Sequence, residues 1–308
     1  MALPADVKEL AAKVRNWGRW GDDDEIGTLN LITDDVVKSA VKEVKTGHRL
    51  ALGLPMDEDG PQMGAIPGRD NPRREMIMVD TPFTGDPDNF TTSDDKLTMG
   101  VQAATHWDAL AHVSYEGKLY NGVPSNTITE AGASRMGIDK IKTIVGRGVL
   151  LDVARAKGVD RVEGGYALTG DDLDAASDLG KVKVQSGDIV LIRTGHMQWF
   201  HEGDREKYGV PAPGPSLQTV QWFRDHDVAA VATDNITFEV YPSEREDAVL
   251  PVHLLHLVDM GMTQGQNWDL EALAVDCAND GRYAFFLDAS PMPLTGGVGS
   301  PVNPVVVK

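Results

Sequence analysis

The segment Gln102-Ala-Ala-Thr-His-Trp-Asp-Ala-Leu-Ala-His112 gathers His106, Asp108 and His112 within seven residues, with Gln102 just upstream. Imidazole and carboxylate are ligands for a divalent metal, and another imidazole beside them can move protons. Thr105, Trp107, Ala109 and Leu110 interleave with these groups, so the segment reads as a buried strand rather than a solvated acidic loop. In extended chain over 104–108, positions 104, 106 and 108 share one face at a spacing of roughly 6.6 Å. His106 and Asp108 can then converge on one ion, while Thr105 and Trp107 point the other way or line a wall. The small and apolar residues after Asp108 allow His112 to turn back. Gln102 lies roughly 13 Å of straight strand from His106 and reaches the same ion only if the chain bends near Ala103–Ala104. Its neutral amide suits manganese better than zinc. The plain alternative is a hydrogen-bonded His–Asp pair in the core.

These groups need a scaffold, and the flanking patterns supply one. Apolar positions Val7, Leu10, Ala11 and Val14 recur at helical spacing, and Thr33-Asp34-Asp35 caps a helix expected to run to about Lys45. Asn16 to Asn30, rich in Trp, Gly and Asp, reads as a structured loop. Strands are expected at 49–54, 75–81, 96–104, 145–152, 188–194, 228–233 and 283–288. Residues 55–75 carry four prolines and read as a long loop of the lid or binding kind. Thr169 caps a helix to about Leu179, and 217–225, 253–260 and 270–278 read as further helices. Interleaved strands and helices without repeats or a separating linker define an α/β fold with a mixed sheet.

Composition narrows the function. The chain has 308 residues, 47 acids against 29 bases, and a net charge of −18. Such a surface opposes nucleic acid and anionic membranes as partners. The sequence shows no signal peptide and no membrane-spanning apolar run, so a soluble cytoplasmic protein is the expectation. The single cysteine, Cys277, lies in a helical apolar pattern and reads as a buried core thiol, not a nucleophile. Arg193, in the run Asp188 to Thr194, reads as a buried ion-pair partner. Asp234, after the apolar strand 228–233, sits where an α/β site or a structural cap would be.

The stretch Thr105 to His112 resembles the signature of the metal-dependent cyclase-like hydrolases, a family that includes bacterial kynurenine formamidase and isatin hydrolase. The family pattern is His-x-Gly-Thr-His-x-Asp-x-Pro-x-His. Trp20 to Asn30, Tyr120-Asn-Gly122, Gly187 to Gly195, Asn267-Trp-Asp-Leu270 and Gly299-Ser-Pro301 are similar to its longer members, so the resemblance spans nearly the whole chain. It implies one domain over 1–308, with 1–48 as a helical and loop extension packed on a β-rich swivelling β/β/α core. It also implies a homodimer or homotetramer. The activity implied is water-mediated opening of an amide or cyclic amide with one manganese or zinc ion. A lactone or ester hydrolase, a cyclase or dehydratase, and a non-catalytic binding protein are the alternatives. On this resemblance His106, Asp108 and Gln102 are the metal ligands, and His112 falls on the position that either binds a second metal or works as the proton shuttle. His253, with His256 as rival, serves the site, and Gln266 and Asn267, which fall where the family often has Glu and a neighbour, contact the substrate. Trp107, Trp17 and Trp20 would wall a small cyclic or aromatic substrate. Gln102, Ala104, Leu110 and Gln266 depart from the pattern, replacing its His, Gly, Pro and Glu.

Overall fold

The computed structural model describes residues 3–308. The apolar runs of the sequence become the middle of one nine-stranded sheet. In chain order its strands are β1 (Arg49–Ala51), β2 (His106–Asp108), β3 (Val145–Asp152), β4 (Ile189–Arg193), β5 (Ala230–Thr233), β6 (Thr263–Gln266), β7 (Ala284–Asp288), β8 (Gly299–Pro301) and β9 (Val305–Val307). Across the sheet they lie in the order β1-β9-β7-β3-β4-β5-β6-β2-β8. The stretch β3-β4-β5-β6 is parallel and every other pairing is antiparallel. Parallel strands are covered on both faces, and Ile189–Arg193 is buried at every position.

Helices α1 (Ala5–Val14), α2 (Asp34–Val41), α3 (Gly170–Gly180), α4 (Leu217–Asp225) and α5 (Glu271–Asp280) flank the sheet. Thr33 caps α2 by accepting from the Val36 N–H, and Thr169 and Asp172 form a reciprocal capping box on α3. The second helix ends before the expected Lys45. Val7, Ala11 and Val14 of α1 join the main core. No helix among the described residues is long and apolar enough to cross a membrane.

Some expectations shift. The strand at 49–54 is only 49–51, and the one at 96–104 is instead Thr91–Thr98, antiparallel to Arg73–Pro82 in a ribbon apart from the main sheet. Residues 52–72 form no helix or strand. Asn71 pins this segment by donating to the carbonyls of Glu58, Gly60 and Gln62, and the Gln62 amide donates to the Ala103 carbonyl.

Candidate active site

The centre lies where β2 sits between β6 and β8. In this antiparallel register Gln266 faces His106, Gly265 faces Trp107, and Gly299 faces Asp108. Paired residues share a face and neighbours alternate. His106, Asp108, Gln264 and Gln266 therefore lie on one side. Trp107 and Gly265 lie on the other.

That other side is core. Trp107 is fully buried, donates its indole N–H to the Ala289 carbonyl at 2.7 Å, and meets Trp268 edge-on at 4.8 Å. A Cβ on Gly265 would stand 2.6 Å from Trp268 Nε1, so only glycine leaves room for the two indoles. Trp107 is therefore not a substrate wall; strand alternation turns it away.

On the chemical side His106 Nδ1 donates to the Ala104 carbonyl at 2.7 Å. That bond fixes the tautomer and leaves the Nε2 lone pair free. His106 Nε2 is 3.5 Å from Asp108 Oδ1, and His112 Nε2 is 3.7 Å from the same oxygen. His106 Nε2 and Asp108 Oδ1 are both fully buried and have no hydrogen-bond partner among the described residues. The second oxygen, Asp108 Oδ2, accepts from the Gln266 amide at 2.7 Å and from the Gln264 amide at 3.5 Å. Burial alone would raise the Asp108 carboxyl, but His112 and then His106 hold it well below the ordinary carboxylate range. Burial pushes the His112 imidazole down against the pull of Asp108, which favours a neutral ring able to take a proton. His112 is also the group of this set open to solvent, with 19 % of its side chain exposed.

The chain turns through 101–105 before β2, supplying the bend that Gln102 requires. The Gln102 amide lies against Gly299, where a Cβ would stand 2.6 Å from its Nε2, and that nitrogen is buried without a partner. An orphaned amide, imidazole nitrogen and carboxylate oxygen in one place are costly unless something bonds to them. Among the described residues no three His, Cys, Asp or Glu side chains form a ready cluster for an ion. The donor set fits a single divalent ion on His106 and Asp108, with the Gln102 amide as a neutral neighbour. It does not fit a pair of ions, because the groups beyond Asp108 Oδ2 are the amides of Gln264 and Gln266.

His253 stands close enough for its charge to bear on Asp108 and His112. Its Nδ1 is 2.5 Å from Glu239 Oε1. His256 is instead enclosed by the rings of Phe223 and Phe238, and burial pushes its imidazole down to about 3. Of the two, His253 is the one whose charge reaches Asp108 and His112. Asn267 supports the turn before β2: its amide donates to the Ala104 carbonyl at 3.2 Å and accepts from the Tyr208 hydroxyl at 2.7 Å. It is fully buried and braces the site instead of meeting a substrate. Trp17 donates to the Val258 carbonyl and stacks under Arg15, and Trp20 lies under Arg19. Trp17 also packs against the apolar cluster that holds Leu110 and Ala111.

Three contributors carried no motif. Glu239 and Gln264 are single residues far from β2 in sequence; the alternation of Gln264 and Gln266 on a short strand was the available signal. Arg69, from the 52–72 segment, is half-buried. Its charge bears on Asp108 and His112, and it has no carboxylate within salt-bridge distance among the described residues. Arg193 is an ion-pair residue, bonded to Asp152 and Glu271 at 2.8 Å each. Asp234 accepts from the Thr194 and Gly195 backbone and the Thr194 hydroxyl, a structural cap. Burial raises the Cys277 thiol to about 12, which leaves it inert.

A mixed sheet presenting an imidazole–carboxylate centre on its antiparallel side defines a class, and comparison with known proteins places the chain within it. The family described as "Putative cyclase" matches residues 47–240, and this chain belongs to that family. A solved structure of a novel cyclase is 40% identical, with a TM-score of 0.87 over 96% of this chain and 99% of the other. Isatin hydrolase A from Labrenzia aggregata, bound to benzyl benzoate, shares 18% identity with a TM-score of 0.64 over 88% and 98%. A predicted metal-dependent hydrolase from Bacillus stearothermophilus shares 17% with a TM-score of 0.51 over 84% and 97%. The last two likenesses are of fold. No curated protein matches the chain.

Proposed function

We propose that this chain is a metal-dependent hydrolase that opens an amide or cyclic amide of a small cyclic or aromatic molecule. The observation that carries the reading is the pair of buried, unpartnered donor atoms, His106 Nε2 and Asp108 Oδ1, 3.5 Å apart with His112 Nε2 3.7 Å from the same oxygen. The names of the structural neighbours, an isatin hydrolase and a metal-dependent hydrolase, support the same class. A manganese or zinc ion on His106 and Asp108 would supply Lewis acidity to water and to a carbonyl oxygen. Gln266 and Gln264 hold Asp108 Oδ2 and so aim Oδ1. His112 accepts a proton at Nε2 from the attacking water and returns it to the leaving nitrogen. His253, with its Nδ1 held by Glu239, presents Nε2 to the same space as a second donor or acceptor. The reading extends to a lactone or ester, because the proton transfers differ only in the leaving atom.

A second reading rests on Gln102, Gln264 and Gln266: with neutral amides around Asp108 the centre would bind a ligand without turning it over. Metal per chain is measured after purification without chelator. Arylformamides, isatin-type cyclic amides and lactones are then assayed with and without added manganese or zinc. Asp108→Ala is expected to lose metal and rate together, whereas His112→Ala keeps metal and loses rate by about 10²–10⁴-fold. Bound metal without turnover of any substrate class would favour the binding reading, and absence of both would overturn the hydrolase.

A further inference from the structure

We infer that Arg69 binds a carboxylate on the substrate, so that the amide opened at this centre belongs to an anionic molecule. The inference rests on the hydrolase reading and narrows its substrate class. In a chain of net charge −18, every arginine among the described residues other than Arg49 and Arg69 stands in a salt bridge. Arg49 is exposed on the edge strand β1, where water serves it. Arg69 is half-buried, and its guanidinium donates to no oxygen among the described residues. Burial pushes that guanidinium down, and the pull of Asp108 only partly opposes it. A charge drawn from water without a partner is costly, and a ligand that brings the opposite charge offsets the cost.

The arginine is mounted on the turn that carries the centre. A Cβ on Gly100 would stand 3.0 Å from Arg69 Cγ and 3.1 Å from its Cα, so the stem lies directly on the chain that leads through Gln102 to His106. The Gly100 N–H donates to the Asp70 carbonyl at 3.1 Å, and the Ala103 N–H donates to the Gly100 carbonyl at 2.9 Å. With the Gln62 amide on the Ala103 carbonyl, these bonds tie the 52–72 segment to the turn. The guanidinium is near enough for its charge to act with Asp108 and His112, yet no salt bridge joins it to Asp108. The buried carboxylates of the centre already have donors: Asp108 Oδ2 is held by Gln266, and Glu239 by the Val252 and His253 N–H groups. Arg69 and His112 are the partly open members of this group, so a molecule arriving from solvent meets a fixed cation beside the imidazole. A planar guanidinium offers a carboxylate two parallel N–H bonds. On an otherwise acidic protein this local reversal of sign favours an anion at this one place.

Matched ligands test it. The formamidobenzoate isomers are compared with neutral formanilide, as kcat/KM for the metal-loaded protein and as affinity by titration calorimetry for the metal-free protein. The parent is expected to prefer at least one isomer over formanilide by about tenfold or more in both measurements. Arg69→Met, which keeps an aliphatic stem against Gly100, should lower both values for that isomer by about 10–100-fold and leave formanilide within about twofold of the parent. Arg69→Lys keeps the charge and should recover part of the loss. A parent that prefers no isomer, or Arg69→Met losing formanilide and formamidobenzoate equally, would overturn the inference and leave the hydrolase reading standing. Equal losses would assign Arg69 to bracing the turn instead. Turnover of none of these amides, with an Arg69-dependent preference still present in calorimetry, would count against the hydrolase reading and keep Arg69 as the anion site. If Arg69→Met fails to fold, Arg69→Gln takes its place in the same comparison.

Discussion

Glu239 accepts two hydrogen bonds from one residue, His253: from the ring Nδ1 at 2.5 Å and from the backbone N–H at 2.8 Å. Its other oxygen accepts the Val252 N–H at 3.0 Å. One buried carboxylate thus fixes both the start of the 251–254 turn of helix and the tautomer of the imidazole it carries. Glu239→Ala strands three buried N–H groups, those of the Val252 and His253 backbone and of the His253 ring, each costing about 1–3 kcal/mol. Denaturant unfolding should show that loss. Glu239→Gln, which keeps an acceptor, should recover much of it, with the ¹⁵N shifts of His253 reporting whether Nδ1 still carries the proton. Equal stability of the alanine variant and the parent would contradict this role.

Gln266 acts on the centre through Asp108 Oδ2, not by facing an ion. Substitutions of such supporting groups typically cost about 10–100-fold in metal affinity. Gln266→Leu should therefore weaken manganese or zinc binding by that factor, and the metal-free protein should also melt lower, because the buried Asp108 Oδ2 loses its 2.7 Å partner at about 1–3 kcal/mol. Titration calorimetry and a thermal melt separate the two effects.

Acid stability provides a prediction with a definite sign. Burial pushes His256 down to about 3 and His196 to about 4, below the unfolded value near 6.5. The stability that each contributes is complete above about pH 6.5 and is lost as pH falls, by up to about 1.4 kcal/mol per pH unit. Asp188 and Asp234, raised to about 6 by burial, work in the opposite sense: their contribution is complete at low pH and is lost as pH rises through about 6. The informative quantity is accordingly a difference. Between pH 6 and pH 4, His256→Leu should lose less stability than the parent, by an amount growing as pH falls. Parallel stability curves would count against a buried neutral His256.

Trp107 separates core from chemistry. Trp107→Ala should cost about 3–5 kcal/mol of stability, since it empties the space against Trp268. Trp107→Phe should fold and retain metal, as its ring lies on the far face of β2 from His106 Nε2. A variant that kept full stability but lost ligand binding would return the indole to the site.

The sequence carried the centre where chemistry and periodicity coincide. His106 and Asp108, two apart in a short apolar strand, could be placed on one face from spacing alone, and the need for a bend before Gln102 followed from strand length. Central strands such as 189–193 were legible because parallel strands buried on both faces are continuous apolar runs. What stayed hidden depended on partners distant in sequence. The surroundings of His253 and His256 depend on Glu239 and on the phenyl rings of Phe223 and Phe238, none of which a local pattern announces. Thr91–Thr98 escaped because Thr-Thr-Ser-Asp-Asp carries little apolar alternation. The strands at 299–301 and 305–307 were too short to show a period.

The register of β2 has an evolutionary consequence. Chemistry occupies the even positions of this strand, 106 and 108, and the core takes the odd one, 107, with Gly265 and Gly299 cut to fit on either side. Inserting or deleting one residue between His106 and Asp108 would put the imidazole and the carboxylate on opposite faces of the sheet. Length is thus guarded more strictly than identity here. Gln102, on the turn ahead of the strand, can vary without disturbing the alternation, whereas a frame shift by one residue would abolish the centre and the core together.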